Sequence, residues 1–171
     1  IKSKDYSNAQ TVFKKLYDIN PDNLDYIFAL ADLARIQKEW NLAIDYYIEG
    51  YNTNSIATNG LEQALQISIA TNNFGKAEYI CELLLDEQPN NDKILQTLLD
   101  LSLFNNNYEL SLKTLTKLET LNGISTEISI QKSAIYEELK DQDKAVKVLL
   151  EIVEKDSQDI NLLDRLVNLY I

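Results

Sequence analysis

Gln37-Lys38-Glu39-Trp40-Asn41-Leu42-Ala43 and, thirty-four residues on, Thr71-Asn72-Asn73-Phe74-Gly75-Lys76-Ala77 read as one pattern written twice. Each opens with a short polar segment, sets an aromatic directly after it, and reaches an alanine three residues later. The alanine begins a stripe: Ala77, Ile80, Cys81 and Leu84 follow the spacing 0, 3, 4, 7, which puts all four on one face of an α-helix. The same spacing holds for Ala9, Val12, Phe13 and Leu16, and for Ala145, Val148, Leu149 and Ile152.

Extended along the chain, the pattern becomes a ruler. The small-residue column runs Ala9, Ala43, Ala77, Ser111, Ala145, every step being thirty-four residues with no insertion. The aromatic column runs Tyr6, Trp40, Phe74, Tyr108 and ends in Gln142. Its regular recurrence at one slot reads as core packing over a turn. The polar segments 37–39, 71–73 and Asn105-Asn106-Asn107 read as tight turns between two helices of one repeat. Breaks between repeats fall at Asn20-Pro21-Asp22-Asn23 and Gln88-Pro89-Asn90-Asn91, where proline cannot continue a helix and Asp or Asn can cap the next. Asn122-Gly123 and Asp156-Ser157-Gln158-Asp159 occupy the matching places.

First helices are less regular. Ile27, Leu30, Ala31 and Ala34 make a clean stripe, as do Leu163, Leu166, Val167 and Tyr170. Around 128–139, Ser129, Lys132 and Ser133 fill slots that are apolar or small elsewhere, so burial there is expected from Ile128, Ile135, Tyr136 and Leu139.

Composition agrees with helices. Only 4 Gly and 2 Pro occur in 171 residues, too few for many short strands and hairpins. The net charge of −11 disfavours nucleic acid and anionic membrane surfaces. No apolar run approaches the ~18 residues that span a bilayer, so no direct membrane contact is expected. The single cysteine excludes an internal disulfide. With no histidine, imidazole catalysis and most zinc sites are excluded. Cys81 lies in a core slot, and no glycine-rich phosphate loop is present. The expectation is no enzyme, no catalytic residue, no metal and no cofactor.

These residues resemble the tetratricopeptide repeat family. The first-helix signature is matched by Leu163-x2-Leu166-Val167-x2-Tyr170, and the second by Ala9-x3-Phe13 with Pro21 and by Ala43-x3-Tyr47. Gly50, Ser55 and the polar slots near Ser129 depart from it without breaking the period. The resemblance implies an all-α, right-handed superhelical solenoid of antiparallel helix pairs. The expected organisation is a single solenoid over 1–171: a partial repeat 1–23, repeats 24–57, 58–91, 92–125 and 126–159, and a lone first helix 160–171. The chain lacks methionine and its last helix is apolar, so the native protein is expected to extend past both ends, or the ends to self-associate. A soluble segment, cytoplasmic or periplasmic, is expected.

The resemblance also implies a concave groove, lined by first helices, that holds a protein or peptide. Projecting those helices inward selects Asp25, Phe28, Asp32 and Arg35, then Glu62, Gln66 and Ile69, then Lys93, Gln96, Asp100 and Leu103, then Ile130, Ala134 and Glu137. Acids mixed with scattered apolar residues suit a basic or amphipathic partner. Family members that clamp acidic chaperone tails use Lys and Asn where this chain has Phe28 with Asp32 and Glu62 with Gln66, so that activity is not expected. The alternative reading is a regulatory or sensory segment of a larger enzyme or signalling protein. An RNA-binding helical repeat is disfavoured by the acidic balance.

Overall fold

The computed structural model describes residues 6–55, 57–153 and 160–170. Among them are ten helices and no strand: α1 (Tyr6–Ile19), α2 (Leu24–Ile36), α3 (Trp40–Thr53), α4 (Thr58–Ala70), α5 (Phe74–Glu87), α6 (Asp92–Phe104), α7 (Tyr108–Asn122), α8 (Thr126–Glu138), α9 (Gln142–Val153) and α10 (Ile160–Tyr170). First helices start at Leu24, Thr58, Asp92, Thr126 and Ile160, each thirty-four residues after the last. The break at 156–159 lies outside the described residues.

The turn inside each repeat explains how the period is kept. Lys38, Asn72, Asn106 and Lys140 all take the left-handed conformation, with φ of 64°, 55°, 56° and 58°. The next residue's N–H then reaches back across the end of the first helix: Glu39 to the Ala34 carbonyl, Asn73 to Ser68, Asn107 to Ser102 and Asp141 to Tyr136, at 2.8–2.9 Å. This is the six-to-one closure of a helix C-terminus, and it satisfies carbonyls that the helix leaves orphaned. Asparagine tolerates this conformation and lysine does so less readily. At the other helix ends, Asn23 Oδ1 accepts from the Asp25 and Tyr26 amides, and Ser125 Oγ from Ile128.

The chain divides between Ile94 and Leu95 into two compact units. In the first unit Ala31, Ala34, Ala43, Ile44, Tyr47, Leu61, Ala64, Ile80 and Leu84 form the core. Ala43 and Ala77 are fully buried, and Cys81, one turn after Ala77 on α5, has no exposure. Burial pushes its thiol up to about 12, so it stays protonated. Second helices are tied to one another by equivalent tyrosines: Tyr17 donates to Glu49, and Tyr51, thirty-four residues on, to Glu87 at 3.2 Å. Gly50 is explained by its neighbour. A Cβ there would sit 2.6 Å from Cε1 of Phe28, and one on Gly60 would sit 2.7 Å from the same atom. The Phe28 ring is wedged between two helix backbones that only glycine lets come so close.

In the second unit Ser111, the exception in the small-residue column, bonds Ser102 at 2.8 Å with both hydroxyls buried. Ser68 holds the Ser102 place one repeat earlier, where the column residue is Ala77, and its Oγ is buried without a partner among the described residues. α8 departs from expectation. Ile135 is buried, but so are Ser129, Lys132 and Ser133, whereas Leu139 is 48 % exposed and Ile128 and Tyr136 are half-buried. Lys132 enters because its ammonium is paired with Glu119 at 2.7 Å, which offsets its desolvation. The stripe on α10 also divides. Leu162, Leu166 and Leu169 pack with Ala145, Leu149 and Ile152, while Leu163, Val167 and Tyr170 are 41 %, 55 % and 69 % exposed. Their equivalents four periods earlier, Ile27, Ala31 and Ala34, are fully buried in the helix that pairs with α3.

Candidate functional site

The candidate residues of the first unit lie mostly on α2 and α4. Asp32 is the best organised of them. It accepts from Arg35 at 3.1 Å, one helical turn away, and from the Tyr47 hydroxyl at 2.6 Å. Burial first, and the bond to Asp32 second, push the Tyr47 hydroxyl up to about 12, so it remains a donor. Asp32 and Arg35 are exposed all the same, and Asp25 is exposed beside its capping contact. On α4 Glu62, Gln66 and Ile69 are exposed at the spacing 0, 4, 7, which keeps them on one face. Phe28, also a groove candidate, is half-buried and packs against Gly50 and Gly60. Lys93 is exposed at the end of this unit.

The second unit carries the remaining candidates. Gln96 and Asp100 are exposed on α6, with Leu103 half-buried. On α8, Ile130, Ala134 and Glu137 are half-buried, and Glu137 is paired with Arg165 of α10. That pair adds a first-helix cation that the groove projection did not count, and it commits the Glu137 carboxylate internally.

One place in the first unit gathers candidates from several elements. An open depression of about 440 Å³ is lined by Arg35, Trp40, Gln63, Gln66, Ile67, Ala70 and Thr71. Arg35 and Gln66 were selected from sequence; Trp40, Gln63 and Ala70 were not. Trp40 was read as core because its column recurs, and Tyr6, Phe74 and Tyr108 are indeed half-buried. Trp40 is 38 % exposed. Ala70 and Thr71, which line the same depression, have small side chains.

Among the described residues no cluster of three His, Cys, Asp or Glu is placed to hold a metal ion, and no helix is long and apolar enough to cross a membrane. Nothing in this site resembles a nucleophile paired with a base.

No protein-family model matches the chain, and no curated protein is similar to it. Solved structures are similar in fold. YrrB, described as a TPR protein with an unusual peptide-binding site, superposes with a TM-score of 0.51 at 18 % identity, over 92 % of this chain and 81 % of that one. A chain of the Naa15/Naa10 complex bound to HypK-THB gives 0.64 at 14 % identity, over 89 % of this chain and 23 % of that one. MamA gives 0.52 at 12 % identity, over 86 % and 80 %. Identities this low speak for the fold alone. Ten helices among the described residues on a thirty-four-residue ruler, with the same position left-handed in four successive turns, give this chain the tetratricopeptide-repeat fold.

Proposed function

We propose that the chain is a protein-interaction scaffold that holds a partner segment, basic or amphipathic, against its first helices. The observation that carries this reading is the exposed mixture on α2 and α4, Asp32, Arg35, Glu62, Gln66 and Ile69, of which Arg35 and Gln66 line an open depression. The peptide-binding site named for YrrB is consistent with it. A photo-crosslinking residue at Gln66 should capture a partner that the same residue at Glu82, exposed on α5, does not. Equal capture from both positions, or capture from Glu82 alone, refutes the reading. Release of the partner as ionic strength rises would support its basic character.

Two extensions draw on particular observations. The chain spans 23 % of the Naa15/Naa10 chain it resembles, so this fold also occurs as a segment of longer proteins. A regulatory segment beside a catalytic domain would use the same face. The exposed Leu163, Val167 and Tyr170 support end-to-end association through α10. Sedimentation should then show concentration-dependent growth that Val167→Asp abolishes; a monomer at every concentration rejects it.

A further inference from the structure

We infer that the depression at Trp40 is the anchor point of this face, and that it takes one aliphatic side chain from a basic partner segment. This rests on the reading of α2 and α4 as the binding surface. Part of the lining is apolar: Ile67 is 8 % exposed, Trp40 offers its partly exposed ring, and Ala70 has a small side chain. A volume of about 440 Å³ lies in the range of sites that bury a small ligand. It suits a leucine- or isoleucine-sized group and its main chain. Gln63 and Gln66, three residues apart on α4, carry amides that can both donate to and accept from a peptide backbone.

The rim decides the charge of the occupant. Arg35 lines the depression, and its Nη2 donates to Asp32, so a carboxylate of the chain already partly matches its charge. Glu39 and Glu62, the sequence neighbours of the lining residues Trp40 and Gln63, are both exposed, within a chain of net charge −11. An acidic segment would meet carboxylates and a basic one would be drawn in.

Trp40 is the single tryptophan of the chain, so its emission reports on this depression. The test uses three synthetic heptapeptides titrated into the whole chain: alternating lysine and alanine with a central leucine, the same with a central alanine, and a glutamate version with the leucine. The lysine–leucine peptide should bind with a blue shift of the emission, as water is displaced from the indole. Its alanine counterpart should bind about fifteen- to sixtyfold more weakly, since roughly two to three methylenes are no longer buried. The glutamate peptide should be weaker still. Ala70→Arg, at an exposed position ending α4, should fill the depression and remove the shift while helix content stays unchanged. Calorimetric binding without an emission change, and indifferent to the central leucine, overturns this inference while leaving the wider face as the binding surface. Absence of binding, or tighter binding of the glutamate peptide, overturns it too. Crosslinking from Gln66 judges the wider reading separately.

Discussion

Gly50→Ala tests the tightest contact in the first unit, and its outcome should change sign with the residue at position 28. In a helix interior alanine is favoured over glycine by about 1 kcal/mol, so with space available the substitution would stabilise α3. The space is occupied. The new methyl would lie 2.6 Å from Cε1 and 2.7 Å from Cζ of Phe28, where ordinary contact begins near 3.4 Å. The ring must retreat by close to an ångström, and it is also held at Gly60, whose own missing Cβ it already approaches at 2.7 Å. Overpacking of this kind costs about 2 kcal/mol. The net expectation is a loss of about 1 kcal/mol, or a melting point lower by about 3 °C for a chain of this size. In a Phe28→Leu background the same Gly50→Ala change should instead gain about 1 kcal/mol, giving a coupling of about 2 kcal/mol between the two sites. Urea titrations followed by Trp40 emission, which reports on the first unit, would measure all four corners of the cycle. If Gly50→Ala stabilises the native protein as much as it stabilises Phe28→Leu, the wedge does not constrain the glycine and the reasoning fails.

Three further outcomes are expected. Lys38→Gly and Lys140→Gly should each raise stability by about 0.5 kcal/mol, the relief of a left-handed lysine less the added freedom of the unfolded chain; Asn72→Gly and Asn106→Gly should change the melting point little. Ser68→Ala removes a buried hydroxyl without a partner and should be neutral or stabilising by up to about 1 kcal/mol, whereas Ser111→Ala breaks the Ser102 bond and should cost about as much; equal effects on denaturation midpoints would contradict this. Alkaline stability should fall from pH 9 upward. Cys81 and Tyr47 keep their protons to about 12 in the folded state, against ordinary values of 9 and 10, so their contribution is complete below pH 9 and is lost as pH rises toward 12. Cys81→Ala should flatten the decline between pH 9 and 10, and the native thiol should resist alkylation until the chain is unfolded.

Much of the fold was legible because it is local. Turns at 37–39, 71–73 and 105–107 could be placed from polar residues at a constant interval, since a six-to-one closure needs only the residues around it. Ala43, Ala77 and Ala145 could be assigned to the core because a helix face is a matter of spacing along one segment, and all three are fully buried. Cys81 followed from the same stripe.

What escaped the sequence depended on partners elsewhere in the chain. Lys132 reads as polar until Glu119 of the preceding helix is brought to 2.7 Å, and only then can it be buried in place of Leu139. Phe28 was selected for the groove by spacing, which does not show that it also packs against Gly50 and Gly60, where two Cβ atoms are absent. Trp40 occupies a column that is half-buried elsewhere and is 38 % exposed, lining a depression with the small side chains of Ala70 and Thr71. Period, helices and turns are properties of successive residues and could be read from their order alone. Which side chains are covered, paired or left open depends on the size and charge of what the folded chain sets against them, and only the tertiary structure decided that.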